Sequence, residues 1–195
     1  MTITIKDDVI FEEEIKKSRF ICHLKRVTTE EAAREFINSI KKQHHKANHN
    51  VSAFTIGDHQ EIQRSSDDGE PSGTAGVPML EILKKRELTN LVAVVTRYFG
   101  GIKLGAGGLT RAYAGAAQAV VDQMILLPYV PMAQVQILAE FATEAQCRYI
   151  VDSLNGSIDN VAYSKQVLLT VTLAEADINN LKESLAVSGR VLESP

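Results

Sequence analysis

The spacing of apolar residues over the first 128 positions predicts an alternation of strands and helices. Apolar and polar residues alternate at 9–15 and 19–27 around a polar Lys16-Lys17-Ser18 turn, which predicts a β-hairpin. Helical spacing at 29–43 follows a capping box, in which the Thr28 hydroxyl and the Glu31 carboxylate satisfy free N–H groups. The continuously apolar run at 91–96 predicts a strand that is buried on both faces. Short strands at 51–55 and 60–63, a helix near 75–87 and an alanine-rich helix at 109–125 complete a ββαββαβα order.

The last third of the chain has a simpler pattern. Strands at 135–139, 157–163, 166–173 and 190–192 and two intervening helices give the order βαββαβ. In the helix at 142–154, Cys147, Ile150, Val151 and Leu154 fall on one face and mark its buried side. This order is typical of a small ferredoxin-like sandwich.

Two prolines mark the boundary between these parts. Pro128 and Pro131 can continue neither a helix nor a central strand, so we expect an extended linker at 127–131 and domains at 1–128 and 129–195. The chain carries a net charge of −3, with 17 basic and 16 acidic residues at 1–128 but only 4 and 8 at 129–195. This balance excludes an extended basic coat for nucleic acid, but it allows a local cationic site in the first domain.

The composition is that of an ordinary folded protein. The chain has 195 residues, of which 45% are apolar and 23% charged. No apolar run approaches the roughly 18 residues that span a bilayer, and the acidic N-terminal segment does not fit a signal peptide. The two cysteines, Cys22 and Cys147, form no disulfide framework and are expected in the core. We therefore expect a cytoplasmic protein that does not contact the membrane.

The strongest candidate site is the glycine-rich segment between the buried strand and the long helix. Glycines allow close backbone approach, and the helix that follows presents free N–H groups to an anion. The predicted anion or phosphate site comprises Arg97, Gly100, Gly101, Lys103, Gly105, Gly107, Gly108 and Arg111. A Walker A loop would need a Gly-Lys-Ser/Thr ending, and a dinucleotide fingerprint would need glycine where Thr110 stands. The alternative is that the glycines only allow a tight turn, with the cations in solvent.

An acidic loop provides a second set of candidates. Asp67, Asp68 and Glu70 could hold Mg²⁺ beside a phosphate, pair with the cations of the glycine-rich segment across a cleft, or form a solvated turn. We favour pairing or a turn over a metal site, and we predict that these carboxylates line the cleft.

Histidines after the first helix are further candidates. His45 and His49 are four residues apart, so they could line the cleft, bind a metal or lie at the surface. Lys46 stands where the zincin motif has glutamate, and no third ligand has suitable spacing. We include His45 and His49 in the cleft lining, and we predict no metal site, no cofactor and no catalytic residue.

These segments resemble a known family. SSDDGEPSGTAGVPMLEIL and LTNLVAVVTRYFGGIKLGAGGLTRAYAGAA closely resemble the signature region of the IMPACT family, in particular its bacterial, YigZ-like two-domain members. The resemblance extends to residues 17–20 and 46–50 and covers essentially the whole chain. It implies an α+β fold, with a first domain like the second domain of ribosomal protein S5. The second domain would be like the ferredoxin-like last domain of elongation factor G.

The resemblance also carries functional expectations. Eukaryotic relatives regulate translation initiation through an additional domain that this chain lacks, and both fold likenesses point by analogy to the ribosome or to structured RNA. We favour a non-enzymatic nucleic-acid- or ribosome-binding protein acting in translation or its regulation. The alternatives are an enzyme acting on a phosphorylated small molecule and a module that binds a protein partner through the acidic second domain.

Overall fold

Residues 3–192 are described by the structure, which is a computed structural model. The chain divides between Tyr129 and Val130 into two units, each with its own hydrophobic core. The first unit contains, in chain order, β1 (Ile3–Ile5), β2 (Val9–Ile15), β3 (Ser18–Arg26), α1 (Glu30–Gln43), β4 (His49–Ile56), β5 (Ile62–Ser66), α2 (Gly76–Lys85), β6 (Leu91–Tyr98), α3 (Ala106–Asp122) and β7 (Leu126–Pro128). The second contains β8 (Met132–Ala139), α4 (Glu144–Ser153), β9 (Ser157–Tyr163), β10 (Val167–Ala174), α5 (Ile178–Ser184) and β11 (Gly189–Leu192).

The centre of the first unit is an antiparallel sheet with the strand order β2-β3-β6-β4-β5. Helices α2 and α3 cover one face and α1 covers the other, so the sheet is buried on both sides. Residues of β6 alternate between the two buried faces of the sheet. Ala93 and Val95 belong to the core under α2 and α3, whereas Val92 and Val94 pack in the core under α1. The prediction of a strand buried on both faces is therefore confirmed.

The first unit also departs from the predicted elements. Thr29 caps α1 in place of Thr28, because its extended backbone lets Oγ1 accept a hydrogen bond from the Ala32 amide at 3.1 Å. Strands β1 and β7 were not predicted, and they pair with each other in register Ile3↔Pro128. The segment expected to be a linker therefore begins as a strand at Leu126–Pro128, where an edge position tolerates proline.

The second unit is a four-stranded antiparallel sheet with the order β11-β8-β10-β9. Alternate residues of β10 are buried and the others are partly buried, so one face of the sheet carries the core shared with its helices. Cys147 lies fully buried on α4, as predicted from its spacing, and Cys22 lies fully buried on β3. Both cysteines are thus core residues.

Candidate functional site

A cavity of about 420 Å³ lies in the first unit where the glycine-rich segment meets the acidic loop. Five of the predicted site residues line it: His49, Glu70, Arg97, Lys103 and Gly105. We call this cavity the cleft. Its wall also contains residues outside the predicted site set: Asn48, Pro71, Phe99, Leu104, Ala106 and Leu109.

Glycines in the segment have distinct structural roles. Gly100 packs against the turn between β2 and β3, where a Cβ atom would lie 1.8 Å from the Lys17 carbonyl oxygen. Gly105 has φ +73° and immediately precedes α3. The left-handed backbone at Gly105 ends the loop and starts the helix three residues earlier than predicted. Gly107 and Gly108 consequently belong to the first turn of α3 and not to the loop.

The N-terminus of α3 opens into the cleft without a cap of its own. The N-cap residue, Gly105, makes no side-chain hydrogen bond to the first turn, and that turn contains no acidic residue. Ala106 lines the cleft, and α3 has 17 residues, so its free N–H groups carry the partial positive charge of a full-length helix. Lys103 lies beside them and forms no ion pair with any residue in the described part of the chain. The two features together make this wall attractive to an anion.

The floor of the cleft is a buried network of charged and polar groups. Counted with their backbone atoms, Arg97 and Glu70 are only 5% and 8% exposed, and Arg97 Nη1 donates to Glu70 Oε1 at 2.7 Å. The Tyr113 hydroxyl donates to the same oxygen at 2.8 Å. Burial, and then this bond to the carboxylate, raise the pKa of Tyr113, so its hydroxyl stays protonated and remains a donor. His49 Nε2 lies 3.8 Å from Glu70 Oε2 on the cleft side.

Arg97 is held mainly by Glu70 and by aromatic rings. Its guanidinium carbon lies 5.5 Å from the centre of the Phe20 ring and 5.6 Å from that of Phe99. Nη2 makes only a long contact of 3.5 Å with the Ser18 hydroxyl, and Nε is buried with no hydrogen-bond partner in the structure. Of the alternatives for the acidic loop, pairing with a cation of the glycine-rich segment is observed between Glu70 and Arg97. The arginine charge is compensated internally and is not exposed to solvent.

The remaining acidic residues organise the loop. Asp67 accepts hydrogen bonds from the amides of Gly73, Ala75 and Gly76 at the start of α2. Burial alone would raise the pKa of Asp67, but these three amides together lower it. Asp68 accepts from the Asn50 amide at 2.7 Å and from Lys41 Nζ at 2.5 Å, and its carbonyl oxygen accepts from His49 Nδ1 at 2.9 Å. The loop that was predicted as cleft lining contributes only Glu70 and Pro71 to the cleft.

Eight of the thirteen predicted site residues do not line the cleft: His45, Asp67, Asp68, Gly100, Gly101, Gly107, Gly108 and Arg111. His45 is exposed and does not line the cleft, because α1 ends at Gln43 and the chain turns before β4. Arg111 lies on the other flank of the segment, in a depression of about 230 Å³ that it shares with Lys16. Leu104 borders both the cleft and this depression, so cations flank the glycine-rich segment on two sides.

The missed residues had weak signals in the sequence. Asn48 Oδ1 accepts a hydrogen bond from the Phe99 amide at 2.8 Å and so fixes the start of the glycine-rich segment. The position of Asn48 within the 46–50 motif was a usable signal. The sequence around Phe99 did not indicate that this residue is 46% exposed. Within residues 3–192, no group of three or more His, Cys, Asp or Glu side chains is arranged to hold a metal ion. None of the helices in that range is long and apolar enough to cross a membrane.

Comparisons with known proteins agree with this arrangement. Residues 16–121 match the family described as Impact N-terminal domain, a span that contains the whole cleft. The chain is 46% identical over 180 residues to IMPACT family member YvyE of Bacillus subtilis, covering 92% of this chain and 83% of that protein. It is 38% identical over 176 residues to IMPACT family member YigZ of Escherichia coli, covering 89% and 86%.

A solved structure described as a hypothetical protein is similar over both units. It has 35% sequence identity and a TM-score of 0.74, covering 100% of this chain and 97% of the other. A mixed α/β architecture in two parts is therefore shared with a solved relative. By the family match and by these identities over most of its length, the chain belongs to the IMPACT family.

Proposed function

We propose that this protein binds RNA or the ribosome in the cytoplasm, that it acts in translation or its regulation, and that the cleft is its binding site. The family resemblance supports a role in translation. The observation that carries RNA binding is that the cleft is lined by a cation with no ion pair within residues 3–192, by a helix N-terminus whose N-cap residue makes no side-chain hydrogen bond, and by an exposed aromatic ring. Lys103 and α3 offer charge to a phosphate, and Phe99 offers a stacking surface to an unpaired base.

The buried network supports this site without itself binding phosphate. Glu70 neutralises Arg97, so the floor adds little net charge and presents a carboxylate that would repel a phosphate placed deep in the cleft. Phosphate contacts are therefore expected at the rim, at Lys103 and the first amides of α3. A strand crossing the glycine-rich segment would then reach Arg111 and Lys16 on the other flank.

A charge-reversal series tests this proposal. Lys103→Glu and Arg111→Glu should each weaken binding to a short single-stranded RNA, and each should reduce the magnitude of the slope of log K against log salt by about 0.7. Lys42→Glu is the matched control, because Lys42 is exposed on α1 and lines neither the cleft nor the depression. Binding is measured by fluorescence anisotropy over a salt series and by co-sedimentation with ribosomes. If the two variants bind like the control, the cleft is not the binding site.

Phe99 provides an independent measurement at the same wall. Phe99→Ala removes a stacking surface, and base–aromatic stacking contributes about 1–3 kcal/mol per base. The loss should appear as weaker binding with an unchanged salt slope, because no charge is removed. A variant that loses salt dependence instead would show that Phe99 only positions the cation.

We further propose specific likenesses for the two units. The order β11-β8-β10-β9 with two helices supports a ferredoxin-like fold resembling the last domain of elongation factor G for the second unit. The sheet covered by α1 on one face and by α2 and α3 on the other supports a fold like the second domain of ribosomal protein S5 for the first. Superposition of an experimental structure on those domains tests both likenesses.

A further inference from the structure

A second polar cavity lies on the opposite face of the central sheet from the cleft. Its volume is about 340 Å³, and it lies between α1 and the edge of the sheet formed by β4 and β5. Arg34, Asn38 and Lys41 project from α1 at intervals of four and three residues, so they form one stripe along the helix. We call this cavity the α1–β5 groove.

Cross-strand pairing builds the other wall of the groove. Phe54 pairs with Arg64 and Ser52 pairs with Ser66, so the side chains of these four residues lie on the same face of the sheet. Ile37 from α1 completes the lining next to Phe54. The groove therefore combines an apolar floor with serine hydroxyls and three cationic side chains.

The positive charge of the groove is incompletely compensated. Arg34 and Arg64 share one carboxylate, Glu30, and Arg64 Nε is 4.0 Å from it, at the limit of an ion pair. Lys41 pairs with Asp68. Three cations thus face two carboxylates, and the side chains of Arg34 and Arg64 are 64% and 58% exposed. Exposed pairs of this kind contribute little stability, so an incoming dianion can replace Glu30.

Serine hydroxyl groups in the groove can donate directional hydrogen bonds in addition to the positive charge of the groove. The Ser66 hydroxyl oxygen accepts a hydrogen bond from the Asp68 amide at 3.3 Å, which leaves its own hydrogen free to donate into the groove. Ser52 lines the same wall and is only 5% exposed. Guanidinium groups and hydroxyls are the donors that bind phosphate oxygens, and guanidinium does so with two parallel bonds.

We propose that the α1–β5 groove binds a phosphorylated small molecule of nucleotide size. Its phosphate lies between Arg34, Lys41 and Arg64, and its ring packs on Ile37 and Phe54. The volume is within the range of about 300–1,000 Å³ that is usual for small-ligand sites. This site is separate from the cleft and does not depend on RNA binding there.

The test is to titrate the full chain separately with AMP, adenosine and inorganic phosphate. Calorimetry measures the affinity of each, and NMR of the backbone amides locates where each binds. AMP is expected to bind and to shift the amides of Ser65 and Ser66, phosphate is expected to bind more weakly at the same amides, and adenosine is expected not to bind. Arg64→Glu should weaken AMP binding by about tenfold or more, because it removes a charge-assisted contact.

Two control variants separate this site from its surroundings. Lys42→Glu makes a matched charge change on α1 outside the groove, and Lys103→Glu alters the cleft; both are expected to bind AMP like the wild type. Arg64 is more than half exposed, so its variant is expected to fold, and an unchanged amide spectrum away from the groove verifies this. The proposal is overturned if AMP does not bind, if adenosine binds as tightly as AMP, or if Arg64→Glu has no effect.

Discussion

The ion pair between Arg97 and Glu70 gives the sharpest test of how the cleft is built. Both side chains are more than nine-tenths buried, at 7% and 4% exposure, and they are joined at 2.7 Å. Removing one partner from a buried pair leaves an uncompensated charge and usually destabilises a protein by about 3–5 kcal/mol, whereas replacing both partners with apolar residues often costs little. We consider Glu70→Met, Arg97→Met and the double variant.

The two single variants are expected to differ. Without Glu70, the guanidinium of Arg97 keeps its ring contacts and one hydrogen bond, the 3.5 Å contact with Ser18, because Nε has no hydrogen-bond partner among residues 3–192; the loss should approach about 5 kcal/mol. Without Arg97, the Glu70 carboxylate still accepts from the Tyr113 hydroxyl at 2.8 Å, so the loss should be nearer to about 3 kcal/mol. The double variant leaves no buried charge, and its main loss is the unsatisfied Tyr113 hydroxyl, about 1–3 kcal/mol.

The diagnostic result is that the effect of Arg97→Met on the free energy of unfolding changes sign when Glu70 is replaced. Arg97→Met destabilises the wild type, but in the Glu70→Met background it should increase stability. Urea unfolding followed by circular dichroism measures the four free energies, and amide exchange of Val94 and Val95 on β6 reports on the first unit alone. The exposed pair Arg19–Glu12 is the matched control, and a cycle there should show no resolvable coupling. If the losses at Arg97 and Glu70 simply add, the network is not coupled and the reasoning is refuted.

Further predictions concern a close backbone contact and a buried histidine. Gly100→Ala should lower the free energy of unfolding by about 1–3 kcal/mol or more, because the added Cβ would overlap the Lys17 carbonyl. Gly115→Ala, on the exposed face of α3, should instead raise it by about 0.5–1 kcal/mol. Urea unfolding of both variants compares the two effects. Burial, and then the neighbouring His44, lower the pKa of His23, so the unfolded state binds its proton more readily and stability should fall as pH decreases below about 6.5. His23→Phe should flatten that decline in unfolding midpoints measured from pH 7 to pH 5, and an unchanged decline would contradict this assignment.

The parts of the fold that the sequence predicted are those with strong local periodicity. The helix at 30–43 and the strand at 91–98 follow from apolar spacing alone, because their burial repeats within one element. The pair formed by β1 and β7 has no such signal, since each strand has three residues and its partner lies more than 120 positions away. Short strands of this kind are fixed by tertiary contact, which single-sequence patterns do not contain.

Part of the cleft was also predictable from local features of the sequence. The glycine spacing identified the segment that precedes α3, and the opposite charges suggested pairing between the two loops without specifying that Glu70 pairs with Arg97. Neither feature indicates that the pair is buried, because burial depends on how Phe20 and Tyr113 pack around it from β3 and α3. The sequence therefore overestimated the charge that the site offers to a ligand.

Ion pairing between side chains of the first unit also determines how strongly a polyanion can bind to it. Within residues 3–192, eight of the 17 cations of the first 128 positions lie within 4.0 Å of a carboxylate, as Arg97 does with Glu70 and Lys41 with Asp68, so ion pairing compensates about half of the positive charge. Around the glycine-rich segment, Lys103, Arg111 and Lys16 are the cations positioned to meet phosphates. Three contacts with single-stranded RNA give a slope of log K against log salt of about −2, since each contributes about −0.7. A slope several times steeper would require many more phosphate contacts than these three cations provide, and it would contradict a site confined to the cleft and its flank.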